Sequence, residues 1–206
     1  MAEQDRVAIV GAGPVGLTLA LLLGRAGIPT VVLEAEADIA EELRASTFHP
    51  PTLDMLDTLG LAQPLIAQGL VTPTWQVRMH ATGERAEFDL SVLADDTAHP
   101  FRLQAEQHKL SRLLLAALAG EPAVEVRFGH AVTTVEQGAE GARVAGAEFA
   151  LDARYVIGCD GARSVVRRAM GLAFEGDTYP ETTILATTPL PFPDVTRGLS
   201  NGESIY

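Results

Sequence analysis

Residues 6–34 read RVAIVGAGPVGLTLALLLGRAGIPTVVLE. Val7 to Val10 is a short apolar run with β-branched residues, which predicts a strand buried on both faces. Gly11, Gly13 and Gly16 follow as G-x-G-x-x-G, where strand should become helix. Each glycine has a physical reason. Gly11 allows a tight turn, Gly13 lets backbone approach a diphosphate, and Gly16 lets helix and strand pack closely. Pro14 suits the first helical position, where its missing N–H costs nothing. The helix expected from about Pro14 to Arg25 aims its free N–H groups, beginning at Val15, and its positive end at the phosphates. Gly27 ends that helix, and Thr30 to Leu33 forms the second strand. Glu34 closes it, 18 residues beyond Gly16, with Ala35 after it. A carboxylate there can accept hydrogen bonds from the hydroxyls of an adenosine ribose. Because the residue is acidic, it argues against a 2′-phosphate, so the nucleotide should be FAD or NAD.

The rest of the composition sets bounds. The chain has 206 residues, long enough to bury a sizeable core in one or two domains. Its net charge of −12 makes nucleic acid and anionic membrane surfaces poor partners. Cys159 is the only cysteine, so no intrachain disulfide or C-x-x-C pair exists. Val15 to Leu23 is apolar but too short to span a bilayer, and Glu3 and Asp5 precede it where a signal peptide carries positive charge. The expectation is a soluble cytoplasmic protein with no metal site.

Beyond Glu34, an acidic stretch leads to Arg44 and the helix expected from Thr52 to Leu59. Leu61 to Gln68 should add a helical turn. Trp75–His80 and Arg85–Leu90 alternate around a turn at Ala81–Glu84, which predicts a hairpin. Gln104 to Leu118 has helical periodicity, with Leu110, Leu113, Leu114 and Leu118 inward. Val124–Phe128, Ala131–Glu136, Arg143–Ala147 and Phe149–Leu151 suggest an antiparallel meander. Tyr155 to Cys159 is expected as a buried strand, Ser164 to Met170 as a helix, and Thr182 to Thr187 as the start of another strand. The fold class is therefore α/β: a three-layer, Rossmann-like domain around a mostly parallel sheet, with a β-rich second domain begun. The first domain is expected over 1–71 and 104–180, and the second over 72–103 and 181–206.

A second signature stands at residues 155–167, YVIGCDGARSVVR. It is another strand running into a glycine turn, with a carboxylate, Asp160, before Gly161. Asp160 can bond backbone N–H groups and hold the turn beside the diphosphate. With GAGPVG and Glu34, this segment resembles the class A flavoprotein monooxygenases, the p-hydroxybenzoate hydroxylase-like aromatic hydroxylases. The resemblance implies FAD at the first turn, with CDGARSVVR serving FAD and NAD(P)H. It places Arg44 at the flavin and its phosphates, Gln107 near the ribityl chain, and Val132 at the adenine through backbone atoms. It implies an oxidoreductase that hydroxylates a small aromatic or related ring compound with NAD(P)H and O₂.

The family's later Gly-Asp motif has no counterpart in these residues, and members are roughly twice as long. The expectation is an N-terminal fragment or a split half. Alone it should bind FAD weakly, and its partner would be the missing half or a second copy. Other classes are separable. A flavin halogenase needs an active-site lysine, and Lys109, the only lysine, falls in the wrong element. A disulfide reductase needs a cysteine pair. A reductase or dehydrogenase of the same fold would not place O₂ into product, and a non-catalytic fragment would only bind nucleotide. Cys159 is read as a small core residue rather than a nucleophile.

Overall fold

In the computed structural model, residues 5–41, 45–78 and 82–180 are described. The elements run β1 (Val7–Val10), α1 (Pro14–Arg25), β2 (Thr30–Leu33), β3 (Thr47–Phe48), α2 (Pro50–Asp57), α3 (Ala62–Ile66), β4 (Leu70–Thr72), β5 (Thr74–Arg78) and β6 (Arg85–Asp89). A 3₁₀ turn at Leu90–Leu93 leads to β7 (Arg102–Gln104) and α4 (Gln107–Leu118). Then come β8 (Val124–Arg127), β9 (Thr134–Gln137), β10 (Ala142–Ala145), β11 (Ala150–Ala153), β12 (Tyr155–Gly158) and α5 (Val165–Ala169). The chain divides into two packing units. One takes in the described residues of Met1–Glu42 with Leu110–Pro180, the other those of Leu43–Lys109.

The first unit is built on a parallel sheet in the order β12-β1-β2-β8. Every side chain of β1 and β2 is buried, as an apolar strand covered on both faces requires. Ala8, Val10, Val31 and Leu33 share one face and pack with Val132, Val144, Ala153 and Val166. Alternation turns Ile9 and Val32 the other way, and both are fully buried. The helix α1 covers that side with Leu17, Ala20 and Leu21, also fully buried. The three layers are thus helix, parallel sheet, and an antiparallel meander with α5.

Two expectations change here. Val124–Phe128 was expected in the meander, but β8 is a fourth parallel strand beside β2, Thr30 opposite Val124. Its apolar alternation is too short to distinguish parallel from antiparallel partners. The meander is the three strands β9, β10 and β11. The strand β12 is not buried on both faces: it pairs with β1 alone among the described residues, and Tyr155 is exposed.

The second unit contains a three-stranded sheet, β3-β7-β4, and the two-stranded hairpin β5-β6. Residues 102–104 form the central strand of that sheet; Gln104, expected to begin a helix, ends this strand instead, and α4 starts at Gln107. This sheet ties 47–48 to 70–72 and 102–104, and the packing units divide at 42/43 and 109/110. The expected hairpin forms, with Trp75 opposite Phe88 and Arg78 opposite Arg85, and Met79–Ala81 lie outside the described residues. So do the strand expected at 182–187 and the whole of 181–206. Among the described residues, no helix is long and apolar enough to cross a membrane.

A polar strut anchors α2 to the loop before β7. The Thr97 hydroxyl donates to Asp54 Oδ2 at 2.6 Å, and buried His99 brings Nδ1 to 2.7 Å from Asp54 Oδ1. The Thr97 hydrogen bond, then that of His99, holds the Asp54 carboxyl below its ordinary value of 3.8. A lowered folded-state pKa stabilises above the unfolded value and is lost as pH falls through the folded one. Asp54→Asn should therefore be less stable than the native chain at pH 6. The difference should shrink below about pH 4, as urea unfolding across that range will show.

Candidate dinucleotide site

The strand β1 delivers the chain into the turn at Gly11. Its N–H donates to Leu33 O at 2.8 Å, and its φ is +105°. A Cβ there would stand 2.5 Å from the carbonyl oxygen of Cys159. At Gly16 a Cβ would stand 2.0 Å from Gly11 O. Both positions therefore exclude every other residue on steric grounds. Gly13 behaves differently. It is extended, at φ −70° and ψ 177°, and a Cβ on it would meet nothing within 4 Å. That side of the turn is therefore open. No side chain caps α1, Pro14 lacks an N–H, and the Leu17 N–H returns to Gly13 O at 3.0 Å. The N–H groups of Val15 and Gly16 precede the first helical bond and suit an anion.

Glu34 is fixed against this turn. Its Oε2 accepts from the Ala12 N–H at 2.7 Å, and its Oε1 from the Glu36 N–H at 3.0 Å. Each oxygen keeps a further lone pair for a ribose hydroxyl. The backbone around it is also pinned. The Glu34 carbonyl accepts from the His130 N–H at 2.7 Å, and that of Glu36 from the Gly129 N–H at 2.8 Å. This brings the segment leading to Val132 alongside Glu34–Glu36. The Val132 side chain points into the core, which leaves its backbone for any ligand. Ala35 is exposed next to Glu34.

The second motif packs directly behind the first. The Cys159 N–H donates to Val10 O at 2.8 Å, so the two glycine turns touch. Asp160 Oδ2 accepts from the Val165 N–H at 2.6 Å and the Val166 N–H at 3.3 Å, while Oδ1 takes the Ser164 hydroxyl. Ser164 Oγ in turn accepts from the Arg167 N–H at 2.9 Å and caps α5. The Asp160 carboxylate is thus engaged with its own helix. It fixes the Gly161 turn, at φ +73°. Burial and then the Asp160 charge push the Cys159 thiol up, which disfavours its thiolate.

Gln107 begins α4 in the second unit, its N–H donating to Ala45 O at 3.0 Å. Arg44 lies outside the described residues. Lys109 is tied to Glu106 at 2.6 Å and to Gln68 O at 2.8 Å. Among the described residues, no three His, Cys, Asp or Glu side chains gather as a metal site. The sequence reading missed Ala12, whose only signal is its place inside the glycine turn. It also missed Ser164, although an Asp four residues before a helix-capping Ser is a visible pattern. Gly24 went unnoticed too: a Cβ there would come within 2.6 Å of Val124 Cγ2, so this glycine sets how closely α1 lies on β8.

A glycine turn between parallel strand and helix, with a carboxylate clamped to its backbone, defines a dinucleotide-binding unit. The chain belongs to the FAD binding domain family, which it matches over residues 4–201. Among curated proteins, it is 40% identical over 189 residues to para-nitrophenol 4-monooxygenase of Pseudomonas sp. (strain WBC-3), covering 89% of this chain and 47% of that one. It is 40% identical over 197 residues to the 6-hydroxy-3-succinoylpyridine 3-monooxygenase HspB of Pseudomonas putida, covering 93% and 50%. The crystal structure of p-nitrophenol 4-monooxygenase PnpA from Pseudomonas putida DLL-E4 superimposes with a TM-score of 0.80 at 38% identity, covering 85% of this chain and 46% of that one. The chain spans about half the length of the curated relatives it matches. The resemblance drawn from GAGPVG, Glu34 and CDGARSVVR holds.

Proposed function

We propose that the chain is the FAD-binding portion of a monooxygenase that hydroxylates a small aromatic ring with NAD(P)H and O₂. The observation that carries this reading is Glu34, held 2.7 Å from the Ala12 N–H at the mouth of a turn that only glycine can form. The relatives' names supply the reaction class. The N–H groups of Val15 and Gly16 would take the diphosphate against Gly11, Gly13 and Pro14. Glu34 and Ala35 would border the ribose, and Val132 the adenine. Asp160 and Gly161 would hold the second turn in place. We assign Arg44 and Gln107 to the flavin side. The bound flavin supplies the redox and oxygen chemistry. The protein's own task is to bind it, orient it and exclude water. Residues 1–71 with 104–180 would serve the cofactor, and 72–103 with 181–206 part of the substrate-binding sheet. We place the protein in the cytoplasm, with a second copy or the remaining half of the enzyme as its partner.

Glu34→Gln keeps the size but removes the charge. FAD titration, followed by quenching of flavin fluorescence, should show about tenfold weaker binding, close to one charge-assisted hydrogen bond. Unchanged affinity would remove the site. In a polypeptide of the relatives' full length, ring substrate should stimulate NAD(P)H oxidation and emerge hydroxylated. Oxidation that yields only peroxide with every ring compound, including 4-nitrophenol, would overturn the reaction.

A further inference from the structure

The second unit carries a cation that no described carboxylate neutralises. Arg102 lies on β7, the middle strand of its sheet. Alternation sets Arg102 and Gln104 on one face, opposite Thr72 and Thr47 on the neighbouring strands, while Leu103 faces the core, fully buried. The Arg102 guanidinium carbon stands over the Trp75 ring, 5.6 Å from its centroid. Trp75 is stacked on Phe88, with centroids 4.3 Å apart and planes 12° from parallel. Arg102 Nε is buried and donates to nothing among the described residues. Arg112 pairs with Asp38 and Glu41, and Arg143 with Asp152, while Arg167 Nε in the other unit shares the lack of an acceptor. A buried donor without an acceptor is uncommon in native proteins and calls for an explanation.

The neighbourhood fits one. A guanidinium recognises an anionic oxygen through its fork of donors. An aromatic pair beside it offers a flat apolar wall. His49 follows β3 by one residue, which sets it level with Arg102 in the same register. Burial, then the Arg102 charge, hold its imidazole below the ordinary range. It therefore stays neutral near pH 7 and offers a hydrogen bond without a competing charge.

We propose that Arg102 anchors an anionic oxygen of an aromatic substrate, a carboxylate or phenolate, whose ring lies against the Trp75–Phe88 pair. This rests on the aromatic substrate proposed above and narrows it to ring compounds that carry a negative charge. Specificity then comes from Arg102, because a neutral isostere such as an amide offers its guanidinium one carbonyl oxygen and no charge.

Trp75 is the only tryptophan in the chain, so its fluorescence reports on this site. Benzoate and neutral benzamide are titrated into the native chain, Arg102→Gln and Arg102→Lys, and 4-nitrophenolate is measured by equilibrium dialysis. Benzoate should change Trp75 emission saturably, bind at least tenfold more tightly than benzamide, and lose at least tenfold in Arg102→Gln. Arg102→Lys should recover part of that loss. Binding of benzoate assigns a carboxylate, and binding of 4-nitrophenolate alone assigns a phenolate; both support the proposal. Equal binding of benzoate and benzamide, anion binding indifferent to Arg102→Gln, or no binding of either anion would overturn it. The benzoate–benzamide comparison on the native chain and the charge-keeping Lys variant decide the matter if Arg102→Gln fails to fold. The FAD titration reads the other unit. Arg102-dependent anion binding without hydroxylation would sink the reaction and leave this site standing. Hydroxylation indifferent to Arg102 would do the reverse.

Discussion

Gly16→Ala should abolish FAD binding and destabilise the first unit together. The added Cβ would stand 2.0 Å from Gly11 O and 3.3 Å from Cys159 Cβ. The first of these is a backbone atom of the turn itself, so no side chain can rotate away. The start of α1 must lift, and the N–H groups of Val15 and Gly16 move with it. Overpacking of this kind costs about 1–3 kcal/mol and sometimes more. A loss of about 100-fold in FAD affinity, roughly 2.7 kcal/mol, is the expected minimum. Gly13→Ala is the informative comparison. Its Cβ meets open space in the protein, so stability should hold while the diphosphate loses its approach. A thermal melt and a flavin titration on both variants separate the two effects. Gly16→Ala with affinity within twofold of the native chain would contradict the reading of the turn.

Asp160→Ala should be the most destabilising single change in the second motif. One carboxylate accepts from the Val165 and Val166 N–H groups and from the Ser164 hydroxyl. Removing it leaves the Val165 and Val166 N–H groups without their acceptor, and Val166 carries that helix into the core beside Val10 and Val144. Losing a cap costs about 0.5–2 kcal/mol, and a hydrogen bond to a charged group about 1.5–3. A loss of about 3 kcal/mol in chemical denaturation is expected. Ser164→Ala should cost about 1 kcal/mol, because only the Arg167 N–H and the Asp160 contact depend on its hydroxyl. The double variant should fall short of the sum, since the two side chains share one network. If Asp160→Ala melts like the native chain but loses FAD, the carboxylate contacts the ligand and the positioning role is wrong.

Much of the first unit was legible because its signals are local. Three glycines, a proline and two apolar strands each state their own geometry. The placement of β8 was not legible. Four residues of mixed polarity say little about which neighbour they meet, and only Gly24 hints that something passes close beneath α1. Gln104 was read as the start of a helix because Leu110 and Leu114 follow it at helical spacing, whereas the pairing of 102–104 with 47–48 and 70–72 is a distant event. Within the site, the carboxylate at Glu34 was readable and its brace at Ala12 was not, because a backbone N–H leaves no mark on the sequence. Asp160 was readable as a turn residue. Its engagement with α5 required knowing where the helix begins.

The brace on Glu34 bears on attempts to retune this fold for a different nucleotide. The obvious route to accept a phosphorylated ribose is to trade the acid for a basic residue. Here that exchange would also release the Ala12 and Glu36 N–H groups that the acid holds. Coenzyme preference and loop geometry are therefore not independent variables at this position. A redesign has to provide a new acceptor for Ala12 before it alters the charge.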